Sequence, residues 1–263
     1  GNISDLSPRA VKVLSEVDFI AAEDTRNSAK LLSLLGLGCA SMISYFEHNK
    51  AEKGPQIVAR LKEGQSCALI TDAGTPAISD PGQDLVRLCI AEGVPVTSVP
   101  GCCAAVNALV LSGMDPRRFH FEGFLEGNDA AKKKTLDELS ALSCTAIFYE
   151  APHRLKETLA MMASAFGADR PIALCREMTK LNEEILRTTL GEAVAIYEKT
   201  EPRGEYVLIL AGRQKDEHAF YENMTVREHV QFYIDGGMSK MDAMKAAAKD
   251  RGVGKAQIYK EMI

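Results

Sequence analysis

Short apolar runs alternate with helix-period stripes along the first 113 residues of this 263-residue chain. The segments 19–22, 42–46, 67–70 and 94–99 read as strands, and 67–70, short, continuous and bounded by polar residues, as a buried one. Between them lie helical patterns at 28–35, 55–63 and 82–92, followed by Gly36, Gly64 and Gly93. Glycine just past a helix is a common C-terminal signal. A further helix opens at Pro100-Gly101 and runs to about residue 112. This alternation predicts a parallel sheet covered on both sides. Ahead of it, Ser7 and Pro8 start a helix whose stripe is Ala10, Val13, Leu14 and Val17. A helix at the head of such an alternation leads us to expect another strand upstream of it.

Near Met114-Asp115-Pro116 the pattern changes. Strands are predicted at 120–124, 145–149, 172–175, 184–189 and 206–210, the last three joined by short connections that favour antiparallel or mixed pairing. Helices fit 130–142, 153–166 and 191–199. The fold class is therefore α/β, with a parallel-sheet N-terminal domain at 1–115 and a mixed-sheet α+β second domain at 116–213. A helical module follows at 214–263. Within it Ser239 caps a helix, and Gly252-Val253-Gly254 separates 243–249 from 256–262 with helix-turn-helix spacing. Residues 238–263 hold six Lys/Arg against three acids, so this module reads either as an assembly element or as an RNA-touching accessory.

Composition narrows the class. Hydrophobic residues make up 46% and charged residues 25%, ordinary values for a soluble protein. No apolar run approaches the ~18–20 residues that span a bilayer, and no secretory signal is present. The seven cysteines (39, 67, 89, 102, 103, 144 and 175) form no CxxC pair and sit mostly in apolar segments. That argues for reduced thiols in the cytoplasm, with no disulfide frame and no metal site. The net charge is −5, so any grip on nucleic acid must come from locally concentrated cations.

The richest chemistry lies in 69–82, LITDAGTPAISDPG. An apolar strand empties into a loop with Gly74 and the carboxylates Asp72 and Asp80, and Asp80-Pro81 begins a helix. Loops at the carboxyl edge of a parallel sheet are where small ligands bind. Gly74 permits close approach, and Asp72 can accept from sugar hydroxyls or an amine. Alone, the loop also fits an ordinary βα turn. Four more strand-end segments are dense in acids beside Arg or His: AEDTR at 22–26, SYFEHN at 44–49, FYEAPHR at 148–154 and CREMTK at 175–180. Each alone fits a surface salt bridge. Together they predict a charged cleft.

These segments, with GNISDLSPRA, VPGCCAAVNAL, FEGFL and GEYVLIL in the same order, closely resemble the ribosomal RNA small subunit methyltransferase I family, a branch of the tetrapyrrole methylase superfamily. The resemblance covers 1 to about 213, and the three C-terminal helices also look like those of the family. It implies a two-domain tetrapyrrole methylase-like fold and S-adenosyl-L-methionine as cofactor. The implied target is the ribose 2′-hydroxyl of a cytidine in the decoding region of small-subunit ribosomal RNA, free or in the assembled subunit. It also implies a homodimer in the bacterial cytoplasm. The family carries a strand ahead of the position of Gly1, and more often has proline and serine where this chain has Cys102-Cys103.

The resemblance assigns Asp72, Gly74, Thr75, Ile78 and Ser79 to the loop against the methionine part of the cofactor. Cys103 and Ala104 form the small pair after the Pro-Gly turn. Tyr149 and Glu150 approach the adenosine, Ala173 and Leu174 form a small apolar pair, and Tyr206 and Val207 close over adenine. Methyl transfer to a hydroxyl is an in-line displacement that needs alignment and gains from a base. Glu23, Asp24 and His48 are the candidate catalytic groups, and Arg26, Arg154, Arg176 and Lys180 the candidate RNA-phosphate contacts. The alternatives are a porphyrin or corrin methyltransferase, a metal-dependent phosphohydrolase using Asp24, Asp72 and Asp80, and a non-catalytic RNA-binding protein.

Overall fold

The computed structural model describes residues 2–38, 41–213, 221 and 224–262; Cys39 lies outside them. Two compact units divide the chain, Gly1–Arg213 and Gln214–Ile263.

The first unit begins with α1 (Pro8–Glu16), capped by Ser7, whose side chain accepts from Ala10 N. Three parallel strands follow, β1 (Phe19–Ala22), β2 (Ser41–Ser44) and β3 (Cys67–Ile70), in the order β2-β1-β3. The connecting helices are α2 (Thr25–Leu34) and α3 (Lys50–Lys62), and α4 (Gly82–Ala91) follows β3. The period of two along β1 decides both cores. Phe19 and Ala21 pack with Ile57, Val58, Leu85 and Cys89 from α3 and α4, whereas Ile20 and Ala22 pack with Leu14 and Leu32 from α1 and α2. Each fully buried large side chain contributes roughly 1.5–3 kcal/mol, and Phe19 and Ile20 are both 0% exposed.

Two expectations are corrected here. Residues 94–99 join no sheet; Val96 is 49% exposed, and no described strand lies alongside to accept a ladder. The edge of β3 away from β1 is likewise unpaired among the described residues. The α3 helix starts at Lys50, with Pro55 inside it. Asn49 organises that earlier start, because its Oδ1 accepts from Phe46 N at 2.8 Å and its Nδ2 donates to Ser44 O at 3.0 Å.

The mixed sheet comprises β4 (Phe119–Phe124), β5 (Thr145–Glu150), β6 (Pro171–Arg176), β7 (Glu184–Thr189) and β8 (Tyr206–Leu210), in the order β4-β5-β8-β6-β7. Only β4 and β5 pair in parallel. One face packs on α6 (Asp129–Leu139), α7 (Pro152–Phe166) and α8 (Leu190–Lys199), through Leu136, Leu155, Leu159, Leu174, Leu190 and Leu208. The other face is covered by α5 (Ala104–Ser112), whose Ala105, Ala108 and Leu109 meet Ile147, Ala173, Cys175, Val207 and Ile209. So α5, which follows the parallel strands in sequence, belongs by packing to the mixed sheet.

The second unit contains α9 (Val226–Asp235), α10 (Lys240–Arg251) and α11 (Lys255–Met262) around Val230, Ala243, Ala247, Ala248 and Ile258. No helix among the described residues is long and apolar enough to cross a membrane.

Candidate functional site

The carboxyl ends of β1 and β3 bring the first and third polar segments together. Glu23 Oε2 accepts from Thr71 Oγ1 at 2.6 Å and from Asp72 N at 3.3 Å. Asp72 Oδ2 in turn accepts from Asn27 Nδ2, on the first turn of α2, at 3.0 Å. Asn27 carried no sequence signal of its own. Its position four residues after Glu23 puts it at the head of the helix that leaves the same strand end.

Beyond Asp72 the loop folds back on the turn before α5. Thr75 Oγ1 donates to Cys102 O at 2.9 Å. Gly74 has φ +76°, and a Cβ there would stand 3.2 Å from the same carbonyl. Ala77 and Ser79 also have positive φ, 69° and 63°, which is strained for non-glycine residues. Asp80 holds that strain in place, accepting from Ala77 N at 3.0 Å and Gly82 N at 2.8 Å. The N-cap position of α4 falls on Pro81, one residue later than expected, but Asp80 still satisfies a first-turn amide.

A groove of about 510 Å³ runs beside this loop. Its apolar length follows α1, α2 and the unpaired edge of β3, with Val13, Leu14, Leu31, Leu34, Ala68 and Ile70. Its polar mouth is formed by Asn27, Asp72, Gly74, Thr75, Cys102 and Thr179. Ligand pockets are typically ~300–1,000 Å³ with a few convergent polar groups. S-adenosylmethionine fits such a mouth chemically: Asp72 offers a carboxylate to hydroxyl or ammonium donors, and the missing side chain at Gly74 leaves the backbone approachable.

The remaining assigned residues are placed differently. Ile78 is 42% exposed and Ser79 is exposed, and neither lines the groove. Cys103 is the N-cap residue of α5, half-buried against the mixed sheet, and Ala104 opens the helix. Tyr149 stacks edge-on with Phe121 and Phe124, its hydroxyl accepts from Ala105 N at 3.3 Å, and burial raises its pKa. Glu150 is only 2% exposed; its carboxylate accepts from Ala151 N at 2.8 Å and Thr158 Oγ1 at 2.6 Å and pairs with Arg154 Nε at 2.9 Å. In this geometry it braces the start of α7. The strand pairs split between opposite faces. Ala173 and Val207 point under α5, whereas Leu174 and Tyr206 point into the α7/α8 core, so each pair cannot present two side chains to one ligand.

Among the catalytic candidates, Asp24 is committed to structure. It caps α2 by accepting from Arg26 N, and pairs with the Arg26 guanidinium at 3.1 and 2.8 Å, which lowers its pKa to about 2. A carboxylate so depressed is a poor proton acceptor. His48 is exposed in the β2–α3 loop, edge-on to Phe46 at 6.2 Å. Glu23 is half-buried, and its Oε1 has no hydrogen bond or ion pair among the described residues.

Each of the four cations assigned to RNA phosphates already faces a carboxylate. Arg26 pairs with Asp24, Arg154 with Glu150, and Arg176 with Glu184 at 2.9 Å across β6 and β7. Lys180 bonds Glu177 and Glu205 at 2.9 and 2.8 Å; burial opposes its charge, but the two carboxylates outweigh that and raise its pKa. No group of three His, Cys, Asp or Glu able to hold a metal occurs among the described residues, and Asp24, Asp72 and Asp80 have the separate partners given above.

The comparisons agree with this architecture. A family model described as Tetrapyrrole (Corrin/Porphyrin) Methylases matches residues 1–194. A Bacillus subtilis protein named Ribosomal RNA small subunit methyltransferase I is 43% identical over 98% of this chain and 89% of its own length. Among solved structures, a cobalt precorrin-4 methyltransferase of cobalamin biosynthesis superposes with TM-score 0.60 at 19% identity, covering 80% of this chain and 90% of that one. A Thermus thermophilus uroporphyrin-III C-methyltransferase complexed with S-adenosylhomocysteine gives TM-score 0.53 at 17% identity, covering 79% and 91%. The two structures share the fold, and the family chemistry is S-adenosylmethionine-dependent methylation. This chain belongs to the tetrapyrrole methylase family, within the branch of ribosomal RNA small subunit methyltransferase I proteins.

Proposed function

We propose that this protein methylates the ribose 2′-hydroxyl of a cytidine in the decoding region of small-subunit ribosomal RNA. It acts as a homodimer in the bacterial cytoplasm, on the free RNA or the assembled subunit. The observation that carries this reading is the end-to-end similarity to the Bacillus subtilis relative, whose name specifies ribosomal RNA.

S-adenosylmethionine, when bound, supplies an electrophilic methyl group and leaves as a neutral thioether. Asp72 and the Gly74–Thr75 backbone would hold it at the groove mouth, with Thr75 anchored on Cys102 O. Glu23 Oε1 accepts the proton of the attacking hydroxyl, while Oε2 stays fixed by Thr71 and Asp72 N. Positioning by such a clamp supplies much of the rate, and the base adds ~10²–10⁴-fold. Contacts from Arg26, Arg154, Arg176 or Lys180 to phosphate would use the N–H donors left beside their present carboxylate partners.

The test is incubation with labelled cofactor and either small ribosomal subunits or a uroporphyrinogen-type substrate, followed by mass-spectrometric mapping. Label on a ribose of the RNA supports the proposal. Label on the macrocycle alone replaces it with the porphyrin or corrin alternative.

A further inference from the structure

The three C-terminal helices form a compact unit of their own. Thr225 and Glu228 close a capping box on α9, Ser239 caps α10, and Gly252 at φ +64° turns the chain toward α11. At its centre His229 is 0% exposed, with Asp250 Oδ2 at 3.2 Å from Nε2 and Arg251 Nε donating to Nδ1 at 3.1 Å.

This construction consumes acids and spares lysines. Glu228 is in the capping box, Asp235 accepts from Gln231, Asp242 is held by Ser239 and Lys245, and Asp250 by Tyr233 and His229. Lys240, Lys249, Lys255 and Lys260 have no ion pair among the described residues, against Glu261 as the remaining carboxylate without a side-chain partner there. In a chain of net charge −5, Lys240, Lys249, Lys255 and Lys260 concentrate positive charge without ion pairs in this unit, although Lys30, Arg118 and Arg187 of the first unit also lack one among the described residues. On α11, Ile258 is buried in the unit's core while Lys255, Gln257, Tyr259 and Lys260 are exposed, Tyr259 by 59%. Lys255 and Tyr259 are four apart and share a face.

We propose that α11 is an RNA-gripping helix, with Lys255 and Lys260 on phosphates and the Tyr259 ring stacked on an unpaired base. The proposal rests on RNA being the substrate. An exposed aromatic between cations is the pairing that single-stranded RNA exploits, since phosphate contacts give affinity and any base can stack on a ring.

The experiment measures binding of the full-length protein to a fragment of small-subunit ribosomal RNA with unpaired loops, over about 50–300 mM salt. Lys255→Gln/Lys260→Gln should flatten the log–log salt slope by about 1.4, the value for two single-strand contacts. Tyr259→Ala should weaken binding roughly ten-fold with the slope unchanged, and Tyr259→Phe should restore it. Cofactor affinity should stay at the wild-type value throughout. If the wild type methylates the RNA while all three variants bind it unchanged, the α11 proposal fails alone. Loss of self-association or of a protein partner without loss of RNA affinity also overturns it. If the wild type neither binds nor methylates RNA, the substrate reading falls too.

Discussion

Thr71 Oγ1 donates to Glu23 Oε2 at 2.6 Å, tying the carboxyl end of β3 to that of β1. Asp72 N reaches the same oxygen at 3.3 Å, so one carboxylate oxygen is pinned twice while the other stays without a described partner. Glu23→Gln keeps an acceptor for Thr71 and removes the proton acceptor. Single-turnover methylation should fall ~10²–10⁴-fold with cofactor affinity within a few-fold of wild type. Asp24→Asn keeps an N-cap and should retain most of the activity, because Asp24 acts there as a cap and ion-pair partner. Equal losses in the two variants would remove Glu23 from its role.

Gly74 combines φ +76° with a carbonyl 3.2 Å from where a Cβ would sit. Valine there is strained twice, because a β-branched residue disfavours positive φ and its methyls crowd Cys102 O. Gly74→Val should lower cofactor affinity at least ten-fold by calorimetry, with a retained far-ultraviolet spectrum. Normal cofactor binding by this variant would move the site away from the 72–80 loop.

The elements that the sequence makes legible are those whose signal is local. The strands Phe19–Ala22, Cys67–Ile70, Glu184–Thr189 and Tyr206–Leu210 match the predicted ranges residue for residue, and Ser7 and Ser239 cap where expected. Residues 94–99 have the composition of a strand, but a strand also needs a neighbour, and none lies beside them among the described residues. For the site, Asp72, Gly74 and Thr75 of the singled-out loop line the groove, whereas Ile78 and Ser79 do not. What stayed hidden was pairing at a distance: Lys180 with Glu205 and Arg176 with Glu184 are ion pairs that no local pattern announces. The same holds for Leu174 and Tyr206, whose direction depends on which face α5 covers.

Arg154 tests what such a pair does. Its guanidinium lies 2.9 Å from Glu150, whose side chain is 2% exposed, and 5.6 Å from the Phe124 ring. Arg154→Ala leaves a buried carboxylate short of its cation, a change that costs about 3 kcal/mol. Denaturant unfolding should show a lower midpoint before any effect on RNA is considered. Restoring a neutral site with Glu150→Gln/Arg154→Ala should recover part of the loss. An Arg154→Ala protein as stable as wild type, with weakened RNA binding, would return Arg154 to the RNA surface.

The thiols give a prediction with a defined pH window. Burial raises both Cys67 and Cys175 to about 11, from an ordinary value near 9. Each lies against a carbonyl, Cys67 Sγ 3.6 Å from Ala68 O and Cys175 Sγ 3.9 Å from Ala108 O. At pH 7–8 both are protonated in the folded protein, and the thiolate is the reactive form. A thiol reagent should therefore spare these two until the chain unfolds. The unfolded chain releases these protons near pH 9 and the folded one near 11, so the folded state holds more protons between those values. Stability from this source is therefore fully present below pH 9 and is lost as pH rises toward 11. Rapid modification of Cys67 or Cys175 in the native protein at neutral pH would show that the packing around β3 or beneath α5 opens far more readily than their burial implies.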